Sequence, residues 1–203
     1  GIDYDHQEYL GNTLEKIAFE KAGLMRFGQP VVYANDNPPA SLSATAHALS
    51  CPMFMNGVDF HLKISHDRAA FLFGINQIDL SVSSLHPHAQ AAAMATCMLL
   101  DDKLPVSTAA YFLGMQQAKI NGRMHWVKGA CDYLFDVAHN AQSVLYLAEK
   151  LKEQNCKNRY SRVHAVFSAL ADKDLRAMIS LLTDVVTDWY PATLSVARAA
   201  SCA

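Results

Sequence analysis

Several features that would assign this chain to a class at once are missing from its sequence. No glycine is followed by lysine, so there is no Gly-Lys-Ser or Gly-Lys-Thr loop to cradle phosphates, and there is no GxGxxG dinucleotide motif. Seventeen Lys and Arg face nineteen Asp and Glu, without the basic surplus of a protein that binds nucleic-acid phosphates. The longest nearly apolar stretch, Ala89 to Leu100, is too short to span a bilayer. We therefore expect neither a nucleic-acid partner nor a membrane partner.

The cysteines and the first residues of the chain indicate the cellular compartment of the protein. Five cysteines are odd in number, widely spaced and without a CxxC pair, which disfavours a disulfide framework or a zinc site. The first residues are acidic and lack the basic start and apolar core of a signal peptide. Hydrophobic residues make up 51% of the chain, which excludes a disordered tail. These properties predict a folded protein of a reducing cytoplasm, and we expect a monomer.

Alternation and helical spacing predict an α/β fold. Residues 35–39 should form a turn before a helix at 41–49, and residues 50–85 should hold short antiparallel strands with turns at Gly57 and Gly74. Two helices are expected within residues 88–119. Residues 125–127 and 133–137 should be strands, which could form a hairpin that turns near residues 128–129. In this part of the chain the order strand, helix, strand, helix, strand implies a right-handed parallel unit, whose ligands sit beyond the carboxyl ends of the strands.

The first candidate for chemistry is a helix near the start of the chain. Asn12 with Glu15 resembles a capping box, and Gly23 is suited to the helix end. Lys21 follows Leu14 by seven residues and so falls on the apolar face, where a lysine must be paired or neutral. A neutral amine could take up carbon dioxide, and the resulting carbamate is an oxygen ligand suited to Mg²⁺. Spacing alone favours the alternative that Lys21 reaches solvent from the helix end.

A second candidate lies at a strand-to-helix junction. Asp136 ends a strand, and His139 with Asn140 opens the next helix, whose N-terminus offers N–H groups and positive potential to an anion. The alternative, a capping asparagine beside exposed polar residues, is equally compatible with the position. Arg123, at the junction of the two regions, could clamp a phosphate or could be an ordinary surface arginine. His6 is ambiguous alone, because Mg²⁺ prefers oxygen ligands.

A third candidate stretch follows a strand and opens a helix. It comprises Asp172, Lys173 and Asp174. One of the two aspartates is expected to cap the helix, and Lys173 could be solvated or could meet an anionic substrate.

In this order, these motifs resemble the folylpolyglutamate synthase and dihydrofolate synthase family of ATP-dependent Mur-type ligases. The longest and most specific stretch runs from Asp5-His6 to Gly23. The resemblance continues through Gly122-Arg123, Phe135 to Asn140, Asp172 to Asp174 and Trp189-Tyr190, and it is weak between residues 35 and 85.

The resemblance implies a reaction and a set of roles. ATP phosphorylates a carboxylate of dihydropteroate or folate, and the amine of L-glutamate attacks the acyl phosphate to form an amide. Lys21, carbamylated, and His6 match catalytic Mg²⁺ ligands. Arg123 and Asp136 match ATP contacts, with His139 and Asn140 beside them. ATP and Mg²⁺ are thus the implied cofactors, and folate or dihydropteroate, L-glutamate and ATP are the implied small-molecule partners.

The sequence also departs from the family pattern. Gln90 stands where the family has an asparagine that contacts ATP, and its amide can make the same kinds of hydrogen bond from a longer arm. Asn121 replaces a usual proline, and Ser168 replaces a common glycine. The phosphate-cradling loop and an acidic Mg²⁺ ligand that precede the His6 segment in the family are missing.

These departures predict a part of a longer ligase. Residues 1–122 are expected to be the rear of a P-loop-type ATPase domain that lacks its P-loop. Residues 123–203 are expected to be the front of a Rossmann-like Mur ligase C-terminal domain. The isolated chain is then expected to be inactive. Two alternatives remain: a Mur-type amide ligase for peptidoglycan precursors, or a nucleotide-binding remnant without catalysis.

Overall fold

A computed structural model describes residues 2, 4, 10–66, 68–83, 85–155 and 160–201. The chain divides into two compact units, which we call the N-terminal unit (Thr13–His125, with residues 1–2) and the C-terminal unit (Trp126–Ala203, with residues 3–12). Within the part of the chain that the structure describes, no helix is both long enough and apolar enough to cross a membrane. Each unit is described by itself below.

The N-terminal unit is a mixture of helices and short strands. Its helices are α1 (Leu14–Ala22), α2 (Ala40–Ala48), α3 (Pro87–Leu99) and α4 (Thr108–Gln117). Its strands are β1 (Val31–Tyr33), β2 (Met53–Met55), β3 (Phe60–Ser65), β4 (Arg68–Phe73) and β5 (Asn76–Ser81). The predicted helix after residues 35–39, the strands of residues 50–85 and the two helices of residues 88–119 are all present.

Two sheets organise this unit. Strands β1 and β2 pair in parallel, and β3, β4 and β5 form an antiparallel meander. Strand β4 ends at Phe73, and β5 begins at Asn76 after a tight turn in which Gly74 has φ +58°, a conformation that favours glycine. The antiparallel register follows the alternation of apolar side chains, because successive residues of a strand point to opposite faces.

The core of the N-terminal unit has two parts on opposite faces of the β1–β2 sheet. Val32 and Phe54 pack against the larger cluster, whose fully buried side chains are headed by Phe60, Phe71 and Met94. Tyr33 belongs to a smaller cluster on the other side, with side chains from helices α1 and α2. The sheet therefore has helices against both faces, as parallel strands usually do.

The start of helix α1 differs from the prediction. The N-cap is Thr13 rather than Asn12, and its Oγ1 accepts a hydrogen bond from the Lys16 N–H at 3.2 Å. Glu15 does not complete a capping box. Its carboxylate instead accepts hydrogen bonds from the N–H groups of Ala40 (3.0 Å) and Ser41 (2.8 Å), at the start of helix α2. The N-cap residue of α2 is a proline, whose side chain cannot accept a hydrogen bond. Glu15 therefore supplies the acceptor for the first backbone N–H groups of this helix.

This long-range cap predicts a pH-dependent stability. The hydrogen bond from the Ser41 backbone, followed by the bonds from the Ser41 hydroxyl and Ala40, holds the pKa of Glu15 below its usual 4.5. A lowered pKa stabilises the fold above the unfolded-state value, and that contribution disappears as the pH falls through the folded-state value. We expect Glu15→Gln to lower the Tm of the N-terminal unit by a few degrees at pH 7, and the difference from wild type to shrink below a pH of about 4.5.

Circular dichroism melts between pH 3 and pH 7 measure this effect. Glu20→Gln is the matched control, because Glu20 is an exposed acid of the same helix. A Tm difference for Glu15→Gln that stays constant down to pH 3 would show that the carboxylate charge has no part in the cap.

The C-terminal unit holds the remaining elements. They are β6 (His125–Val127), β7 (Tyr133–Phe135), α5 (Ala141–Asn155), β8 (His164–Phe167), α6 (Leu175–Leu182) and β9 (Asp188–Pro191), with the first residue of β6 at the junction. Strands β8 and β9 are connected through α6 and pair in parallel, as predicted. Strand β7 pairs with β6 in a separate two-stranded sheet, as the hairpin prediction has it. The expectation that β7 also belongs to the parallel unit is wrong for the described residues.

The core of this unit is formed where α5 and α6 pack on one face of the β8–β9 sheet. Val144 of α5 and Met178 of α6 are each 1% exposed. Around them lie the buried Leu182, Val185 and Val186, together with the rings of Phe167 and Trp189 in an edge-to-face contact. The i, i+3, i+4, i+7 spacing of α6 correctly predicts this face, because those positions align along one side of a helix.

Candidate functional site

The predicted site residues lie in both units, so each group is examined in its own surroundings. Lys21 is in the last turn of α1, and its side chain is exposed. The alternative that the spacing favours, a lysine that reaches solvent from the helix end, is confirmed, and the inward position is not observed. Ile17, Ala18 and Ala22 form the buried face of the helix, whereas the Lys21 side chain lies beside an open cavity.

Lys21 lines an open cavity of about 310 Å³ in the N-terminal unit. The other described residues of its wall are mostly apolar, and Arg26 is the second charged side chain among them. Arg26 Nη1 donates hydrogen bonds to the carbonyls of Gly23 (3.0 Å) and Met25 (2.9 Å), which hold the guanidinium beside the end of α1. Sequence reasoning missed Arg26, because it lies in the loop after α1, where no spacing rule indicates what a side chain contacts.

The start of helix α3 carries the predicted ATP contact Gln90. Its side chain is 2% exposed, and Nε2 donates to the carbonyl of Leu85, so the amide supports the loop before the helix. His86 caps the helix through Nδ1, which accepts the His88 N–H at 3.2 Å, and the His88 ring lies 3.1 Å from Asn35 Oδ1. The role of Gln90 toward ATP stays a prediction.

Arg123 lies at the end of the N-terminal unit, in a tight backbone bend. Gly122 and Met124 on either side of it have φ +72° and +45°, and the Arg123 N–H donates to the Ile120 carbonyl at 3.1 Å. A left-handed conformation is strained for a residue with a side chain such as Met124, so this bend is specified by its surroundings. The Arg123 side chain projects from this bend and is half-buried.

The stretch from Asp136 to Asn140 is ordered by its own hydrogen bonds. Asp136 Oδ1 accepts the Ala138 N–H at 2.8 Å, and Asn140 Oδ1 accepts the Ser143 N–H at 2.9 Å. Ser143 Oγ in turn accepts the N–H groups of His139 (3.1 Å) and Asn140 (3.2 Å). The predicted capping role of Asn140 is confirmed. Ser143 was missed, although a hydrogen-bonding residue three positions after an N-cap is a capping signal.

This geometry keeps Asp136, His139 and Asn140 together at the N-terminus of a 15-residue helix. The His139 ring is itself held, because Nδ1 lies 2.9 Å from the Val137 carbonyl. A long helix presents positive potential at this end, so the arrangement is suited to an anion.

The Asp172 to Asp174 stretch lies beyond the carboxyl end of β8. Asp174 is the N-cap of α6, and its Oδ1 accepts the Ala177 N–H at 2.9 Å. Asp172 forms ion pairs with Lys173 (3.4 Å) and with Arg198 (3.0 Å), and the side chains of Asp172 and Lys173 are each 7% exposed. Lys173 is therefore not solvated, and Arg198 is a partner that sequence reasoning missed because it is distant in the chain.

Charge and burial oppose each other at Asp172. Burial raises the pKa of its carboxyl, but the positive charges of Lys173 and Arg198, together with hydrogen bonds, outweigh it and hold the pKa below its usual range. The carboxylate thus stays ionised and ties the segment after β9 to the loop after β8. The backbone supports the same link, since the Ala171 N–H donates to the Arg198 carbonyl at 2.9 Å.

Two further predicted features concern metal binding. His6 lies outside the described residues. Among the residues that are described, no group of three or more His, Cys, Asp or Glu side chains comes together where it could hold a metal ion.

Comparison with known proteins gives a consistent assignment. Residues 122–202 match the family model described as Mur ligase, glutamate ligase domain. The dihydrofolate synthase/folylpolyglutamate synthase of Escherichia coli (strain K12) is 30% identical over 200 residues, which are 98% of this chain and 46% of the relative.

Solved structures agree in fold as well as in sequence. E. coli FolC in complex with DHPP and ADP is 30% identical with a TM-score of 0.89, covering 98% of this chain and 47% of that chain. A bifunctional folylpolyglutamate synthase/dihydrofolate synthase with Mn, AMPPNP and L-glutamate bound is 32% identical with a TM-score of 0.85, covering 98% and 48%. The predicted α/β fold of a Mur-type ligase is thus confirmed, and the chain spans about half the length of these relatives. Over nearly its whole length the chain is thus similar to about half of a dihydrofolate synthase/folylpolyglutamate synthase, and its residues 122–202 match the glutamate ligase domain of the Mur ligases.

Proposed function

We propose that this chain is part of an ATP-dependent ligase that joins L-glutamate to dihydropteroate or to (poly)glutamylated folate. The observation that carries the proposal is the match of 98% of the chain, at a TM-score of 0.89, to an enzyme structure that holds DHPP and ADP. A similar match to a structure that holds AMPPNP, manganese and L-glutamate supports the same ligand classes. A peptidoglycan ligase is disfavoured, because the matched relatives are folate enzymes.

The proposed reaction has two steps. The γ-phosphoryl group of ATP passes to a carboxylate of the pterin substrate, which gives an acyl phosphate and ADP. The amine of glutamate then attacks the acyl carbon, the amide bond forms and phosphate leaves. Negative charge accumulates in the transition states of both steps. The enzyme therefore needs positively charged side chains and helix N-termini to stabilise that charge.

The C-terminal unit supplies one such anion site. Asp136, His139 and Asn140 form a hydrogen-bonded turn directly before α5, where the helix dipole favours a phosphate. A carboxylate such as that of Asp136 suits a ribose hydroxyl rather than a phosphate, which agrees with its proposed ATP contact. Arg123 and Gln90 are the proposed ATP contacts in the N-terminal unit.

The described residues do not by themselves make a magnesium site. The only charged side chains among the described residues of the Lys21 cavity are cations, and an ammonium group is no ligand for Mg²⁺. His6 and a carbamylated Lys21 remain the proposed ligands, and no step of the reaction is assigned to the ion.

The two units correspond, in this proposal, to residues 1–122 of an ATPase domain and residues 123–203 of a Mur ligase C-terminal domain. The observed division falls between His125 and Trp126. We further propose that the ligase of which this chain is a part acts in the cytoplasm as a monomer, with small-molecule partners and without nucleic acid or membrane contacts.

The isolated chain is expected to show no ligase activity. Its sequence contains no Gly-Lys-Ser or Gly-Lys-Thr loop, so it has no phosphate cradle of its own. Purified chain, ATP, Mg²⁺, dihydropteroate and radiolabelled glutamate should give no labelled product above background. Turnover by this chain alone would contradict the expectation, and equilibrium dialysis with ATP distinguishes a nucleotide-binding chain from one that binds nothing.

A further inference from the structure

We propose that four side chains of the C-terminal unit form a clamp that positions Asp136, at the end of strand β7, for the nucleotide. The clamp comprises Trp126, Lys128, Asp132 and Tyr160. Its members are positioning residues, because they act through Asp136 and are not proposed to touch a substrate. This inference rests on the proposed function, in which Asp136 contacts ATP.

The centre of the clamp is a shared carboxylate. Asp132 Oδ2 accepts a hydrogen bond from Lys128 Nζ at 2.7 Å and a second one from the Tyr160 hydroxyl. Lys128 Nζ also donates to the Tyr160 hydroxyl oxygen at 2.9 Å, so the three polar groups close a triangle. The hydrogen bond to Asp132, followed by the bond to Tyr160, raises the pKa of Lys128, so the ammonium group is charged at neutral pH. Because the Asp132 side chain is only 18% exposed, these charge-assisted bonds are less screened by solvent than those of a surface ion pair.

Two aromatic rings extend the clamp. The Trp126 and Tyr160 rings are stacked, with their planes 7° apart and their centroids 5.8 Å apart. Lys128 Nζ lies 4.2 Å from the centroid of the Trp126 ring, where the electrons of the ring face attract a cation. Trp126 belongs to β6, and Tyr160 lies in the segment that leads into β8. The clamp therefore ties the β6–β7 pair to the start of the parallel β8–β9 sheet.

Strand β7 connects the clamp to Asp136. Asp132 immediately precedes this strand and Asp136 immediately follows it, with the three residues of the strand between them. An extended strand has a nearly fixed rise of about 3.3 Å per residue. Holding Asp132 in place therefore restricts the position that Asp136 can take at the other end of the strand.

The apolar core holds only the other side of the same turn. Ala138 packs against the core cluster of the C-terminal unit, and Val144 of α5 is a member of that cluster. Within the described part of the chain, the cluster includes no side chain of β6 or β7. The turn from Asp136 to Asn140 is thus held by the core on its α5 side and by the clamp through β7. Loss of the clamp should loosen the turn while the core stays folded.

Amide hydrogen exchange of the full chain, followed by NMR, tests the proposal. Lys128→Met removes the ammonium group with its hydrogen bonds and ring contact but keeps an unbranched side chain. We expect the N–H groups of Ala138 and His139, which bond to side chains within the turn, to exchange roughly tenfold faster than in wild type. The N–H of Met178, in the core helix α6, should exchange at the wild-type rate.

Two further variants make the result specific to the clamp. Lys128→Arg keeps a cation that can pair with Asp132 and lie over the Trp126 ring, so it should restore the wild-type exchange rates. Lys150→Met is the matched control. Lys150 also pairs with a carboxylate, that of Glu153 at 3.0 Å, and lies 5.6 Å from an aromatic ring, but it belongs to α5 and not to the clamp. This variant should leave the exchange rates of the turn unchanged.

The consequence for the nucleotide is measured in an E. coli enzyme whose matched part is replaced by this chain. Because Lys128→Met loosens the turn that carries Asp136, the KM for ATP should rise roughly tenfold while the KM for glutamate stays unchanged. A variant that only lost folded protein would lower kcat and leave the KM for ATP as it is.

The outcomes separate the clamp from the proposed function. Exchange at Ala138 and His139 that Lys128→Met leaves unchanged, or that Lys150→Met accelerates equally, would overturn the clamp. Faster exchange with an unchanged KM for ATP would also overturn it, since the turn would then not serve the nucleotide. A chimera that is inactive even with the wild-type Lys128 would count against the proposed function alone, because the exchange measurement needs no turnover.

Discussion

Replacing Phe71 by alanine is expected to destabilise the N-terminal unit by about 3–5 kcal/mol. The ring is fully buried, and its centroid lies 6.1 Å from that of Phe60. The cluster around it joins strands β3, β4 and β5 to helix α3, so the cavity left by the ring cannot be filled by a movement of one element. A loss of this size is a large fraction of the stability of a typical domain.

The positions of the tryptophans make the measurement selective. Both, Trp126 and Trp189, belong to the C-terminal unit, so their fluorescence follows that unit while circular dichroism follows the whole chain. In urea, Phe71→Ala should shift the dichroism transition of the N-terminal unit and leave the tryptophan transition in place. Phe19→Ala, which removes a ring that is 63% exposed, is the control and should change little. A shift of both transitions together would contradict the division into two units.

Replacing Lys21 by alanine is expected to lower ligase turnover by roughly 10³-fold in an E. coli enzyme whose matched part is replaced by this chain. Lys21 is the one predicted catalytic residue that the structure describes, and it lies on the wall of the open cavity of the N-terminal unit. Lys21→Arg keeps a positive charge but cannot form a carbamate, so it should be as inactive as Lys21→Ala.

The neighbouring exposed residue provides the control. Glu20→Ala removes a side chain from the same turn of α1 and should keep turnover within about twofold, because surface substitutions away from a site have small effects. Stability should be unchanged in all three variants, since the Lys21 side chain is exposed. Activity of Lys21→Arg near the wild-type level would show that charge alone, and not a carbamate, is required.

The local parts of the fold were predictable from the sequence. Asn140 followed by apolar residues at helical spacing correctly predicts α5, because both signals act within one or two turns of the chain. The same holds for α6, whose Leu175, Met178 and Leu182 lie on one face. The hairpin turn at Gly74 follows from the alternation on either side of it and from a conformation that favours glycine.

The non-local parts were not predictable. Glu15 caps a helix that begins 25 residues later, and Arg198 pairs with Asp172 across the loops after β9 and β8. No sequence pattern encodes such distances. Strand β7 forms the predicted pair with β6 but does not join β8 and β9 in one parallel sheet among the described residues. Alternation reveals that a segment is a strand and not every strand that it pairs with.

Lys21 shows why periodicity alone misjudges a site residue. Its angle around α1 places it among the apolar positions, yet the helix ends at Ala22 and the side chain is exposed on the cavity wall. Periodicity gives a direction around the helix axis, whereas burial also depends on whether another element packs on that side, and beside Lys21 there is an open cavity.

The most direct test of the proposed function is a glutamate-incorporation assay on a chimera in which this chain replaces the matched part of the E. coli relative. ATP, Mg²⁺, dihydropteroate or folate and radiolabelled glutamate are supplied, and the labelled amide product is quantified. We predict turnover by the chimera and none by this chain alone. A folded chimera that produces no labelled product, with an intact E. coli enzyme active in the same assay, would contradict the claim that this chain is part of a folate ligase.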